Sequence, residues 1–363
     1  MSAHDRIPRS SWAFPALAVV FVAVSTALHL SFTPSAFGLV FAGVLLVILF
    51  GTVFAAVHHA EVIAQKIGEP YGTLLLTLSV IIIEVAVIST IMLGDKAVPT
   101  LARDTVFAVI MIVCNGLVGL CILAGGWRYR EQVFQVSGAK LYLSVLLVLS
   151  TITLILPNYT LTTPGPLYST LQLAFVSVVT LILYALFLYT QTVLHRDYFL
   201  ASSDTGDSGA ASTRVVTISA VLLAVSLIAV VVLAKSFSVV VDAGGAAIGA
   251  PPAFSGIVVA LLVLLPESVA ALSAARNNEL QKSINLSLGS ALATISLTVP
   301  AVALAAYLLD KPLLLGLPPR EMVLLAMTLL LSMLTFATGI TNILFGMVHL
   351  LVFAVFLLMV FAP

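Results

Sequence analysis

Apolar stretches of roughly 18 residues or more recur about eleven times along this chain, separated by polar breaks. A helix of that length spans the hydrocarbon core of a bilayer, because each residue advances it by about 1.5 Å. The stretches run over 13–31, 36–60, 70–94, 104–125, 139–156, 167–194, 214–235, 248–275, 282–308, 320–338 and 341–361. Composition agrees, with 61% hydrophobic and 8% charged residues and a mean hydropathy of +1.21. Soluble domains carry roughly 25% charged residues. So few charges cannot cover a water-facing surface. The fold class is therefore an all-α, multi-pass membrane protein with the lipid bilayer as its solvent. A formal net charge of zero argues against a basic nucleic-acid surface.

Most loops are short and punctuated, as at Gly68-Glu69-Pro70, Pro164-Gly165-Pro166 and Pro318-Pro319. The segment from His195 to Arg214 is longer, rich in small residues, and carries Asp197, Asp204 and Asp207. It reads as a flexible linker. The expected organisation is an N-terminus and first helix over 1–35, five helices over 36–194, a linker over 195–213, and five helices over 214–363. The first apolar stretch lacks a small-residue cleavage box and is expected to be a retained helix.

Lysine and arginine set the orientation. With the N-terminus inside, Arg6, Arg9, Lys66, Arg128, Arg130, Lys140, Arg196, Arg214, Arg276 and Lys282 are cytoplasmic. Lys96, Arg103, Lys235, Lys311 and Arg320 then face outward. The bias predicts a cytoplasmic N-terminus, a cytoplasmic linker and an external C-terminus. It also gives the two five-helix halves opposite orientations, the inverted-repeat plan of alternating-access transporters.

Two acids stand apart from the rest. Glu84 follows Tyr71 by thirteen residues, and Glu267 follows Phe254 by thirteen, each deep within an apolar stretch. The other acids fall in expected loops or near helix ends. A carboxylate at mid-bilayer depth costs at least about 2.5 kcal/mol, so it is rare and usually functional. With no Lys or Arg at their depth, these groups favour the protonated form. A hard cation with a preference for oxygen, such as Ca²⁺ or Na⁺, would displace those protons. Such competition is the simplest physical basis for antiport. The alternative is that each glutamate is a protonated hydrogen-bonder between helices.

Auxiliary candidates cluster nearby. Thr77 lies two turns before Glu84, as a ligand or bonded back to its own helix. Pro266 precedes Glu267 and frees a carbonyl about one turn upstream, as a ligand or an ordinary kink. Ser268 is adjacent but points to a different face. In the ninth stretch Ser283, Ser287, Ser290 and Thr294 form a small polar stripe, for helix packing or for an ion path. Asn115, beside Gly116, is the counterpart in the first half and needs a partner. His58, His59 and Glu61 read as an interfacial polar cap or a proton entry. His349, in the last helix, reads as a satisfied core residue or a relay. Cys114 and Cys121 read as core residues without a disulfide. No HExxH, GxSxG or Walker motif is present, which argues against an enzyme or an ATP-driven pump.

The stretches GEPYGTLLLTLSVIIIEV, PTLARDTVFAVIMIV, LLPESVAAL, LQKSINLSLGSALATISLTVP and TGITNILFGMVHL resemble the ChaA-type branch of bacterial calcium/proton antiporters. That branch belongs to the cation/calcium exchanger superfamily. The resemblance covers about residue 50 to the end. It implies eleven helices, two inverted repeats after an extra first helix, and a cytoplasmic linker after the sixth. It also implies that Glu84 and Glu267 bind Ca²⁺ and protons alternately, in a bacterial inner membrane, with no resident cofactor. Calcium/proton exchangers carry Gly-Asn before each repeat glutamate, a histidine after the second, and a glutamine in the ninth helix. Here Ile81-Ile82-Ile83 precedes Glu84, Leu265-Pro266 precedes Glu267, Ser268 follows, and Ala293 stands at the glutamine position. The branch is associated with Na⁺/H⁺ and K⁺/H⁺ exchange as well, so Na⁺ or K⁺ is the alternative cargo. A passive cation channel is the alternative from another class.

Overall fold

The structure, a computed structural model, describes residues 8–30, 32–33, 35–68, 71–92, 99–199 and 212–362. Eleven helical segments follow in chain order: α1 (Arg9–Ala27), α2 (Ala36–Ile67), α3 (Tyr71–Met92), α4 (Leu101–Tyr129), α5 (Val136–Tyr159), α6 (Thr170–Leu194), α7 (Thr213–Ala247), α8 (Ala253–Arg276), α9 (Leu280–Leu308), α10 (Pro319–Thr335) and α11 (Ile343–Phe361). Among the described residues, all but α10 are long and apolar enough to cross a membrane. Helix α10 has 17 residues and reaches about 26 Å, against a hydrocarbon core of about 30 Å.

Two helices outrun the apolar stretches that announced them. Helix α2 has 32 residues and α7 has 35. Apolar counting stops at the first charges, Glu61 and Lys235. A helical backbone satisfies itself and needs no apolar side chain to continue past the bilayer. Asp242 accordingly lies on α7 and not in a loop. Helix α2 ends at Gly68, whose φ of 77° is a conformation glycine adopts freely. Of the expected linker, Arg196–Tyr198 forms a 3₁₀ turn. Residues 200–211, with Asp204 and Asp207, lie outside the described residues.

The chain forms two compact units, each drawing helices from both sequence halves. The first covers Met1–Val98 and Thr205–Ala250. In it α2 packs against α1, α3 and α7. His59 of α2 is fully buried and joins three helices: its ring nitrogens lie 2.9 Å from the Ser11 carbonyl and 3.2 Å from Ser219 Oγ. This histidine is a tie between helices, whereas His58 remains half-buried.

The second unit covers Pro99–Asp204 and Pro251–Pro363. Helix α4 is its most buried helix and packs on α8 and α11. Glycines permit the close crossings. A Cβ on Gly256 of α8 would stand 2.9 Å from the α4 backbone at Asp104 and Thr105. At the α4–α11 crossing, a Cβ on Gly119 would stand 3.0 Å from the Gly346 carbonyl. Small residues at such points let helices meet where lipid offers no hydrophobic drive.

Loop contacts sort this unit's helix ends into two groups. At one end β1 (Glu131–Val133) pairs antiparallel with β2 (Ile340–Asn342). There Gln132 donates to the Ala275 carbonyl at 3.0 Å, and Asn285 donates to that of Phe199 at 2.6 Å. At the other end Leu314 donates to the Pro99 carbonyl, Leu315 to that of Pro166, and Leu317 to that of Leu154. Alternate loops therefore meet at alternate ends, as a multi-pass topology requires.

Candidate functional site

Helix α3 is regular across Glu84. Val80, Glu84, Val87, Ile88 and Ile91 are all buried, and their three- and four-residue spacing puts them on one helix face. Glu84 is 0% exposed. Thr77, half-buried, lies two turns earlier. Ser79, which sequence reading passed over, is buried and donates to the Leu75 carbonyl at 2.8 Å. That back-bond uses its only proton.

Glu267 lies in a different setting within the second unit. Helix α8 continues through Pro266, which has no amide hydrogen to give the Leu262 carbonyl. Glu267 is half-buried, with Oε2 enclosed. Ser268 is also half-buried. One turn on, Ala271 packs with Ala275, Leu117 and Cys121, so this stretch of α8 lies against α4. No metal-holding cluster of three or more His, Cys, Asp or Glu occurs among the described residues. Both cysteines are free and buried.

The helices that follow the two glutamate helices share a feature that the sequence did not announce. Helix α4 widens into a π-turn over Ile112–Leu117, and α9 does so over Thr294–Thr298. Such turns insert one residue into the helix and recur at functional sites. A one-residue insertion barely disturbs an all-apolar pattern, so periodicity could not reveal it. The polar residues Asn115 and Thr294 at these turns were the visible signal. Further π-turns lie within α5, over Thr151–Ile155, and at the end of α6, over Thr190–Leu194.

Asn115 is fully buried and satisfied within the second unit. Its amide nitrogen donates to Thr328 Oγ1 at 2.8 Å, and its oxygen lies 3.3 Å from Nδ1 of His349. On α9, Ser283, Ser287 and Thr294 are buried and Ser290 is half-buried. The Ser287 hydroxyl is enclosed without a hydrogen-bond partner. Asp104 is buried but fully engaged, by Arg103 at 2.7 Å and Thr100 at 2.8 Å.

A family model described as sodium/calcium exchanger protein matches residues 35–193 and 218–362. The chain belongs to the sodium/calcium exchanger family. Among relatives, the protein y4hA of Sinorhizobium fredii (strain NBRC 101917 / NGR234) is 43% identical over 365 residues, covering 100% of this chain and 98% of that protein. The sodium-potassium/proton antiporter ChaA of Escherichia coli (strain K12) is 40% identical over 320 residues, covering 86% of this chain and 87% of that one. Among solved structures, native YfkE superposes with a TM-score of 0.74 at 17% identity, covering 97% of this chain and 100% of that chain. The H⁺/Ca²⁺ exchanger CAX superposes with a TM-score of 0.69 at 16% identity, covering 96% and 87%. These structures share the fold: helices in two inverted repeats after an extra first helix. This exchanger is thus a multi-pass membrane protein of a transporter family, not an enzyme.

Proposed function

We propose that this chain is a proton-coupled cation antiporter that uses Glu84 and Glu267 as alternately protonated and cation-bound groups. The observation that carries the reading is the pair itself. Each half places one glutamate at the same repeat position, buried or half-buried, in a chain with almost no other acid deep in its helices. A carboxylate so placed is stable when it holds a proton or a cation, and not when it holds neither. Exchange follows, because one occupant must leave before the other binds. Carboxylate oxygens suit a hard divalent cation, and Ca²⁺ is the cargo named for the H⁺/Ca²⁺ exchanger whose fold this chain shares, so Ca²⁺ is the first cargo proposed. Thr77, Pro266, Ser268, Ser290 and Asn115 are the auxiliary oxygen sources.

A second reading, Na⁺ or K⁺ exchange at the same glutamates, is favoured by the 40% identity to a sodium-potassium/proton antiporter. Monovalent cations demand fewer anionic ligands, which suits a first repeat with isoleucines before its glutamate. The setting is a bacterial inner membrane, with the N-terminus cytoplasmic by the lysine and arginine bias. The cation leaves while protons enter.

The test is collapse of an imposed proton gradient in proteoliposomes, titrating Ca²⁺, Na⁺ and K⁺ separately at fixed ionic strength. Collapse with Ca²⁺ alone establishes the first reading; collapse with Na⁺ or K⁺ alone establishes the second. Glu84→Gln and Glu267→Gln should each abolish the response. Retention of exchange in both variants would sink either reading. Current that follows voltage without protons would make the protein a channel.

A further inference from the structure

His349 is a fully buried imidazole that the exchange reading leaves unused. It lies on α11, where Gly119 of α4 comes so close that an added Cβ would sit 3.1 Å from the histidine Cβ. Both ring nitrogens are engaged. Nε2 lies 2.9 Å from Thr335 Oγ1, and Nδ1 lies 3.3 Å from Asn115 Oδ1. Asn115 in turn donates from Nδ2 to Thr328 Oγ1 at 2.8 Å, and the Thr328 hydroxyl faces Met111 Sδ at 3.4 Å. One hydrogen-bonded chain thus joins α10, α11 and the π-turn of α4.

The donors and acceptors settle its direction. With the Thr328 proton turned to Met111, its oxygen is free to accept from the Asn115 amide. Asn115 Oδ1 must then face Nδ1, so Nδ1 carries the ring proton. Nε2 is left as an acceptor for the Thr335 hydroxyl. No charge is needed anywhere, and none of the histidine's partners titrates. The amide is held at two points, and Oδ1 keeps a second lone pair. Two residues along the same π-turn, Leu117 belongs to one buried cluster with Cys121, Ala275 and Ala271, the last of them one turn from Glu267 on α8. The exchangers this chain resembles carry a histidine directly after the second glutamate; here Ser268 stands in that place. In this chain the buried imidazole of the second unit comes from the last helix.

We infer that His349 is a positioning residue for cation binding: it holds the Asn115 amide, and with it the α4 π-turn, in the orientation that the α8 glutamate site requires. The inference rests on the exchange reading above, with Asn115 among the auxiliary oxygen sources. It makes His349 a neutral orienting group and not a proton carrier.

The experiment uses the full-length protein in proteoliposomes, measuring cation-driven proton release with Ca²⁺ and with Na⁺ at several pH values. His349→Ala should raise the KM for the transported cation by about 10- to 100-fold, the usual cost of losing a group that orients a ligand. Vmax per folded protein and the pH midpoint should hold. His349→Asn places an amide N–H where Nδ1–H stood and should recover most of the affinity. In an Asn115→Ala background, His349→Ala should add nothing further, because its effect passes through that amide. An unchanged KM in His349→Ala overturns the inference. So does a loss confined to the yield of folded protein, which marks a structural role. A moved pH midpoint in His349→Asn also overturns it, since that marks a proton carrier. Glu267→Gln serves as the separate control: if it leaves exchange intact, the glutamate reading fails, whatever His349 does.

Discussion

Glu84 and Glu267 hold the same repeat position in two unlike surroundings. Glu84 sits in an unbroken helix after three isoleucines and is fully enclosed. Glu267 follows a proline, is half-buried, and shares its unit with four helices that carry π-turns. A repeat supplies a matched pair of carboxylates, but it does not supply matched access to water. In the first half the acid shares one buried helix face with Val80, Val87, Ile88 and Ile91. In the second half the acid directly follows Pro266 and lies one turn before Ala271, which belongs to a buried cluster with Leu117 of the α4 π-turn. A helix lacking one amide donor is tolerated in a membrane where the segment is buried or lines a cavity.

The largest effect should come from removing either charge. Glu84→Gln and Glu267→Gln should each lower exchange by more than about 100-fold, beyond the range seen for groups that only orient a ligand. Proton-coupled uptake into vesicles measures this, and a large loss in one variant alone would break the symmetry of the pair. Shortening each acid sharpens the comparison. Glu84→Asp should cost about tenfold more in KM than Glu267→Asp. Enclosure leaves Glu84 no water to fill the missing methylene, whereas a half-buried carboxylate can use one. Equal losses would mean that the two settings do not differ in access.

Pro266→Ala should come next. It restores an amide donor to the Leu262 carbonyl and withdraws that oxygen as a ligand. A hydrogen bond of about 1 kcal/mol corresponds to roughly a fivefold rise in cation KM, with thermal stability unchanged or raised. An unaltered KM would reduce the proline to a kink. The smallest functional effect belongs to Gly256→Ala, which presses on the α4 backbone at Asp104 and Thr105. It should cost about 1–3 kcal/mol of stability, read as a lower unfolding midpoint in detergent, with less change in KM than Pro266→Ala.

Much of the fold was legible before any coordinates. Eleven helices, their order and most of their ends follow from where apolar runs begin and stop. The ends of α2 and α7 were misjudged, because a helix that leaves the bilayer no longer advertises itself by hydrophobicity. Glu84 and Glu267 were conspicuous because an acid in hydrocarbon is costly enough to need a purpose. Asn115 was visible as a polar residue in search of a partner, and His349 as a histidine with an unknown one. That the two are each other's partners, 234 residues apart in sequence, was not legible at all.

The chain by itself determined that this is a membrane protein of two inverted halves with one central acid in each. The reason is thermodynamic: the bilayer permits few backbone forms and penalises buried charge, so both leave plain marks in composition and spacing. Tertiary structure decided which polar residues meet. It drew helices from both halves into each compact unit, opened π-turns in α4 and α9, and brought the last helix against the fourth. Those choices depend on glycine-sized gaps and on hydrogen-bond distances of about 3 Å. Contacts at that scale are set by side chains meeting across helices, and no one-dimensional pattern records them.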